Sequence, residues 1–234
     1  MAERLPPLSP RLAACAALVE PGARLIDVGT DHAYLPVHLL LAGRVAAPVW
    51  ATDVNDGPLD RARRTARRAG VAEKMLFART DGLTGLDPAS ADTVVIAGMG
   101  GETIAAILSA AAPGWRQGHR FILQPMTKAP ELLRALAPLG LALTEDRLVK
   151  EGETVYRVLA AGEGTMPALS PLELELGPSR PEDPVYAEAL KRLVRRLEKA
   201  RQGLSGAKNA DPGRLAETEA LLREAGKQWT MDNR

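Results

Sequence analysis

The segment Leu25-Ile26-Asp27-Val28-Gly29-Thr30-Asp31-His32-Ala33-Tyr34 decides the fold. Its first residues are mostly apolar and lead into Gly29, and Leu35-Pro36 then begins an apolar helix. This order predicts a buried parallel strand, a sharp turn and a helix that leaves the turn. Ligands of open α/β sheets bind outside the carboxyl ends of the strands, so we expect the chemistry at this turn.

The composition is that of an ordinary globular protein. The 234 residues are 46% hydrophobic and 25% charged, and the net charge of +1 excludes neither nucleic acid nor a neutral ligand. The single cysteine, Cys15, cannot form an intrachain disulfide, and we interpret it as a small buried helix residue. Because there is no signal-peptide pattern and no apolar run of about 18 residues, we expect a soluble, cytoplasmic protein.

Short apolar strands alternate with helices along the first two thirds of the chain. Strands are predicted near residues 24–28, 48–54, 75–78, 93–97 and 121–123, and two more at 141–149 and 154–160. The alternation predicts a parallel sheet covered on both faces, and the short link predicts a final hairpin with one antiparallel strand at the sheet edge. We therefore expect an α/β, Rossmann-like class I methyltransferase domain with a mostly parallel seven-stranded sheet, rather than a nicotinamide dehydrogenase.

The pattern changes after Ala161. Five prolines between residues 167 and 184 predict a linker with little regular structure. Asp183-Pro184 and Asp211-Pro212 each predict the start of a helix, and the tail from Gly226 is expected to fray. We thus expect a catalytic domain at residues 1–163, and a linker plus a C-terminal α-helical hairpin at 164–234.

The turn after the first strand does not match the dinucleotide fingerprint. That fingerprint requires Gly-x-Gly-x-x-Gly, whereas Asp31 follows Gly29 at the second glycine position. An acid there would repel a pyrophosphate and suits a ligand with positive charge, such as the amino group or sulfonium of S-adenosylmethionine.

Three further features lie at strand ends. Asp53 could accept hydrogen bonds from ribose hydroxyls, and Asp81-Gly82 could accept from an adenine amino group. Gly98-Met99-Gly100-Gly101 leaves bare backbone that a flat group can approach. Each has a simpler interpretation, because acids at strand ends often cap helices and glycine runs often form tight turns. The histidines show no metal-ligand spacing, and no metal is expected.

At these residues the chain resembles the bacterial tRNA (adenine-N1)-methyltransferase family TrmK. The matching stretches are Leu8-Ser9-Pro10-Arg11-Leu12, residues 25–36, Asp53 with Gly57-Pro58-Leu59, Asp81-Gly82-Leu83, residues 96–101, Leu123-Gln124-Pro125 and Leu176-Gly177-Pro178. The resemblance implies S-adenosylmethionine as methyl donor, N1 of adenine 22 in the D-arm of tRNA as acceptor, and a C-terminal hairpin similar to a coiled coil.

The expected site falls into three sets. The catalytic candidates are Asp31 and His32; Asp31 either acts on the adenine or only holds the donor's amino group, and His32 either acts directly or supports a neighbour. The expected cofactor-binding residues are Arg11, Asp27, Gly29, Thr30, Asp31, His32, Asp53, Val54, Asp81, Gly82 and Gly98. The expected substrate-binding residues are Met99, Gly100, Gly101, Gln124, Pro125, Arg192, Arg195 and Arg196.

Two basic stretches could contact tRNA phosphates. One contains Arg61, Arg63, Arg64, Arg67 and Arg68, and the other contains Lys191, Arg192, Arg195, Arg196, Lys199 and Arg201. For either stretch a solvated helix surface is the simpler interpretation. Two other functions stay open from the sequence: a small-molecule methyltransferase with a dimerising hairpin, and a non-catalytic RNA-binding adaptor of the same fold.

Overall fold

The computed structural model describes residues 7–205 and 211–232. Its strands are Ala23–Val28 (β1), Val45–Asp53 (β2), Met75–Arg79 (β3), Thr93–Gly100 (β4), Arg120–Thr127 (β5), Leu141–Glu151 (β6) and Thr154–Glu163 (β7). Its α-helices are Pro10–Leu18 (α1), Tyr34–Leu41 (α2), Asp56–Arg68 (α3), Gly101–Ala110 (α4), Ala129–Leu136 (α5), Pro171–Leu176 (α6), Pro184–Ser205 (α7) and Pro212–Asp232 (α8). The chain divides into two compact units, one ending at Pro167 and the other beginning at Ala168.

The seven strands form one sheet in the order β3-β2-β1-β4-β5-β7-β6. Neighbouring strands among β1 to β5 pair in parallel, and β7 pairs antiparallel with both β5 and β6. The predicted class I methyltransferase fold, with its mostly parallel seven-stranded sheet, is thereby confirmed. The central strands are apolar enough to be covered on both faces, so their carboxyl ends meet along a single edge of the sheet.

The predicted position of the antiparallel strand was wrong. We expected it at the sheet edge, but β7 lies between β5 and β6, and β6 is the edge strand. Residues 157–161 of β7 are all buried, whereas in β6 only Leu141 is buried. Because an interior strand must be covered on both faces, the more apolar of the two strands takes the interior position.

The N-terminal helix agrees with the sequence in its start and in its cysteine. Pro10 is the first residue of α1, although the side chain of Ser9 makes no capping hydrogen bond. Cys15 is completely buried in α1, which confirms its interpretation as a core residue. Burial raises the pKa of the Cys15 thiol to about 12, so the thiol stays protonated and unreactive at neutral pH.

The C-terminal unit is more regular than expected. The predicted linker contains α6, whose start carries a complete capping box between Ser170 and Glu173, a signal that the proline count obscured. The expected fraying from Gly226 was also wrong, because α8 continues to Asp232. A single glycine inside a helix costs about 1 kcal/mol, which a helix of this length tolerates. Among the described helices, none is both long and apolar enough to cross a membrane.

Candidate active site

Two clefts lie at the carboxyl ends of β1, β2 and β4, and Gly29 lines both of them. The first has a volume of about 290 Å³ and is bordered by the ends of β2 and β3 and by α4. The second has a volume of about 330 Å³ and is bordered by α1, the turn after β1 and the end of β4. A ligand that crosses Gly29 could occupy both clefts at once.

The first cleft combines acidic groups with an apolar wall. Asp53 and Asp81 line it together with Gly82. Val54, which is 58% exposed, and Ile107 of α4 supply apolar surface. Carboxylates accept hydrogen bonds from hydroxyl and amino groups, and apolar side chains pack against the face of a ring. This cleft is therefore suited to a nucleoside.

The second cleft contains charges of both signs. Arg11, Asp27, Thr30, Asp31 and His32 line it, with Gly98 at its border. A guanidinium beside two carboxyl groups matches a ligand end that carries both a carboxylate and a cationic amine. The two clefts thus bring together every residue of the expected cofactor-binding set.

Asp27 is the buried acid beneath the second cleft. Its Oδ2 accepts a hydrogen bond from the Thr30 hydroxyl at 2.6 Å. Burial raises the pKa of Asp27 to about 7, the Thr30 hydrogen bond opposes the rise, and the charge of Asp53 adds to it. Near neutral pH this carboxyl group is therefore able to change its charge when a cation binds nearby.

The turn after β1 has an unusual backbone. The N–H groups of Gly29 and Thr30 both donate to the carbonyl oxygen of Thr52, at 2.8 and 2.9 Å. Gly29 has φ +71°, and a Cβ on it would lie 2.0 Å from Cε of Met99. Asp31 and Ala33 also have positive φ, a conformation that non-glycine residues rarely adopt. Such backbone strain is commonly found at binding and catalytic sites.

Asp31 is paired with Arg61, a residue of the first basic stretch. Arg61 of α3 donates from both Nε and Nη2 to Asp31 Oδ1, at 2.9 and 2.6 Å. In the sequence, Arg61 belongs to a basic stretch that either contacts tRNA phosphates or forms a solvated helix surface, and no sequence signal linked it to this turn. His32 Nε2 lies 3.9 Å from Asp31 Oδ2, and the His32 ring stacks on Tyr34. The carboxylate therefore keeps one oxygen that Arg61 does not contact.

Part of the expected substrate-binding set lies outside both clefts. Met99 lines the first cleft, but Gly100, Gly101, Gln124 and Pro125 line neither. Gly101 has a packing role, because a Cβ on it would lie 2.1 Å from the carbonyl oxygen of Lys128.

Gln124 is fully buried, and its Oε1 accepts hydrogen bonds from Arg11 Nη1 and from the Gly98 N–H. Sequence reasoning missed this link, although Arg11 and Gln124 both belong to stretches that match the TrmK family.

The arginines of α7 are exposed or half-buried, and two of them have acidic partners. Arg192 Nη2 donates to Glu188 Oε1 at 2.5 Å, and Arg196 Nη2 donates to Glu175 Oε2 at 2.7 Å. Arg195 is exposed. Within residues 7–205 and 211–232, no cluster of three or more His, Cys, Asp or Glu side chains could hold a metal ion.

The chain is similar in sequence to known methyltransferases. A family model described as a methyltransferase domain matches residues 8–159. The tRNA (adenine(22)-N(1))-methyltransferase of Bacillus subtilis (strain 168) is 34% identical over 157 residues, which are 67% of this chain and 66% of that protein. The chain thus aligns with slightly less than two thirds of the length of this curated relative.

Solved structures extend the similarity over nearly the whole chain. The B. subtilis m1A22 tRNA methyltransferase TrmK superposes with a TM-score of 0.79 at 26% identity, covering 97% of each chain. A Streptococcus pneumoniae candidate tRNA (m1A22) methyltransferase, in complex with S-adenosyl-L-methionine, superposes with a TM-score of 0.79 at 29% identity, covering 92% of this chain and 100% of that one. The resemblance to TrmK is thereby confirmed, and the chain belongs to the methyltransferase domain family.

Proposed function

We propose that this protein transfers a methyl group from S-adenosylmethionine to N1 of adenine 22 in tRNA. The observation that carries the proposal is the pair of clefts joined at Gly29, one suited to a nucleoside and the other to an amino acid. The names of the B. subtilis relative and of the S. pneumoniae complex support the same donor and acceptor.

The side chains around the two clefts fit the methyl donor. Asp53 would accept hydrogen bonds from the ribose hydroxyls, and Asp81 would accept one from the adenine amino group. Arg11 would bind the carboxylate of the amino acid end, with Asp27 and Asp31 near its cationic groups. When bound, S-adenosylmethionine supplies an electrophilic methyl group.

Asp31 is the residue we assign to the acceptor side. Methylation of N1 places a positive charge on the adenine ring, and a carboxylate near the ring stabilises that charge as it develops. Arg61 contacts Oδ1 of Asp31, so Oδ2 is the oxygen available to the adenine. His32, stacked on Tyr34, would help to hold the base and exclude water.

The tRNA would be held by basic side chains outside the catalytic centre. We assign catalysis to residues 1–163 and substrate holding to residues 164–234. Lys191, Arg192, Arg195 and Arg196 follow one another at helical spacing along α7. Such a row suits the phosphate backbone, which attracts Lys and Arg without regard to sequence.

The direct test is methyl transfer to unmodified tRNA. We expect incubation of the protein with S-adenosylmethionine and a tRNA transcript to yield 1-methyladenosine, detected by mass spectrometry of the digested nucleosides. A transcript with guanosine at position 22 should gain no methyl group and serves as the matched control.

Two outcomes would contradict the proposal. Methylation of small molecules but not of tRNA would indicate a small-molecule methyltransferase. Absence of donor binding by calorimetry would indicate a non-catalytic adaptor.

A further inference from the structure

We infer that Gln124 is a positioning residue that sets the Arg11 guanidinium to receive the carboxylate of the methyl donor. This inference rests on the proposed donor and deepens it. It also gives a different role to a residue that we expected to contact the acceptor adenine.

One side-chain oxygen joins two walls of the second cleft. Gln124 Oε1 accepts from Arg11 Nη1 at 2.9 Å and from the backbone N–H of Gly98 at 3.2 Å. Arg11 belongs to α1 and Gly98 to β4, and both residues line this cleft. Gln124 itself is fully buried in β5 and does not line it. Its effect on a ligand must therefore pass through these two neighbours.

The amide of Gln124 is held in one orientation. Its Nε2 donates to the carbonyl oxygen of Pro125 at 2.9 Å, which directs the carbonyl side of the amide toward Arg11 and Gly98. Glutamine supplies both the donor and the acceptor that this buried position requires. A residue that lacks either group would leave buried polar atoms without a partner.

Arg11 is restrained from a second direction by Glu151. Its backbone N–H donates to Glu151 Oε2 at 3.1 Å, and its Nε lies 3.4 Å from Glu151 Oε1. Gln124 and Glu151 thus engage Nη1 and Nε, while Nη2 has no hydrogen-bond partner in the described part of the chain. A guanidinium held by two of its nitrogens can present the third to a carboxylate with little loss of conformational entropy.

Neutrality is the second property of Gln124 that suits this role. A carboxylate at this position would form a second ion pair with Arg11 and would compete with the carboxylate of the ligand. An amide holds the guanidinium without neutralising it. The inference therefore predicts that Gln124→Glu weakens binding of the amino acid end although it preserves the size of the side chain.

The test compares two ligands that differ at the amino acid end. S-adenosylhomocysteine carries that end, and 5′-methylthioadenosine lacks it. In calorimetric titrations we expect Gln124→Met to raise the Kd of S-adenosylhomocysteine about tenfold. The Kd of 5′-methylthioadenosine should not change. Gln117→Met, the same substitution at an exposed glutamine of the same unit, should change neither.

A double-mutant cycle separates positioning from general damage. If Gln124 acts through Arg11, the Gln124→Met effect on S-adenosylhomocysteine should disappear in an Arg11→Met background. Equal weakening of both ligands, or a full effect without Arg11, would overturn the inference.

Two further results keep the test decisive. If Gln124→Met does not fold, Gln124→Glu gives the same comparison, with weaker S-adenosylhomocysteine binding expected and unchanged binding as the contrary result. If the wild-type protein binds neither ligand, the proposed function itself fails, and the inference fails with it.

Discussion

The turn after β1 and the basic face of α7 use charge in opposite ways. At the turn, Asp27 is buried and accepts a hydrogen bond from Thr30. Asp31 has a strained backbone conformation and is paired with Arg61. On α7 the charged groups sit on an exposed helix surface, and Arg192 and Arg196 pair with acids of their own unit. One region holds a few charges in fixed positions, and the other carries many charges near solvent.

This difference predicts how each region responds to change. Buried or oriented charges act over short distances with little screening, so small changes in geometry should have large effects. Exposed charges are screened by salt, and each one contributes little. Mutations at the turn should therefore alter donor binding and turnover, and mutations on α7 should alter mainly the salt dependence of RNA binding.

The largest effect is expected for Gly29→Ala. A Cβ at this position would lie 2.0 Å from Cε of Met99, so the flexible end of the Met99 side chain must move. Met99 lines the first cleft, and its displacement would obstruct a ligand that crosses Gly29. We expect donor affinity to fall about thirtyfold in a calorimetric titration, which corresponds to about 2 kcal/mol, within the range of overpacking penalties.

Gly22→Ala is the matched control for this substitution. Gly22 also has positive φ, at +80°, but no atom lies within 4 Å of an added Cβ. Both variants should lose about 1 kcal/mol of unfolding free energy from backbone strain, and Gly22→Ala should bind the donor normally. Similar donor affinity in the two variants would contradict a role for Met99 and Gly29 at the crossing.

The next effect concerns the turnover of Asp31→Asn. Removing the carboxylate charge should lower turnover at saturating donor about tenfold, because the developing charge on the adenine loses a partner. Asp60→Asn is a close control, since Asp60 is 61% exposed against 58% for Asp31 and pairs with Arg63 as Asp31 pairs with Arg61. Unchanged turnover with weaker donor binding would assign Asp31 to the donor alone.

Asp27→Asn is expected to change mainly the stability of the protein, and this effect depends on pH. The pKa of Asp27 rises from 3.8 to about 7 on folding, so within this window the folded state holds a proton that the unfolded state has released. Stability from this group is complete below pH 3.8 and is lost as the pH rises toward 7. Asparagine has no such dependence.

Urea denaturation at pH 5 and pH 8 checks this prediction. Relative to the wild type, Asp27→Asn should gain about 2 kcal/mol between the two conditions. Its donor affinity at pH 8 should be lower, because the variant lacks the negative charge near the cationic groups of the donor. A constant stability difference across the two pH values would show that Asp27 does not titrate in this range.

The smallest effect per residue is expected on α7. Reversing Arg192, Arg195 and Arg196 to glutamate should weaken tRNA binding and lower the salt slope of log Kd by about 0.9 for each lost phosphate contact.

Arg223→Glu applies the same charge change to the other long helix of this unit. The single variant Arg195→Glu is the matched comparison. If Arg223→Glu reduces the salt slope as much as Arg195→Glu does, the RNA is attracted by the net charge of the protein and not by the arginines of α7. Equal tRNA affinity at low salt in the triple variant would contradict a role for this face.

Much of the fold follows from local sequence patterns. Apolar runs such as residues 93–97 are too short for helices and end in glycine or acid, so they predict β4 and its neighbours correctly. Pro10 and Pro184 begin α1 and α7 as expected, because proline suits the first turn of a helix. The grouping of most of the expected cofactor-binding residues around two clefts follows from the fold, since the carboxyl ends of parallel strands share one edge. Their role in binding a cofactor stays a prediction.

The predictions were wrong or incomplete where two sequence patterns favoured different structures, or where a contact joins residues that are distant in the sequence. Five prolines suggested a linker and hid the Ser170–Glu173 capping box of α6. The roles of Arg61 and Gln124 could not be predicted, because their partners Asp31 and Arg11 lie 30 and 113 residues away. A charge in a basic run looks the same in the sequence whether it faces solvent or a carboxylate.

The sequence by itself determined the order of the strands and of the helices other than α6, the glycine turn after β1 and the resemblance to TrmK, because these depend on neighbours within a few residues. The tertiary structure alone decided that β7 lies between β5 and β6, that Arg61 contacts Asp31 and that Gln124 holds Arg11 beside Gly98. Each of these contacts exists only after distant segments pack together. The physical reason is that hydrophobic patterning specifies which face of an element is buried, whereas packing selects the partner on that face.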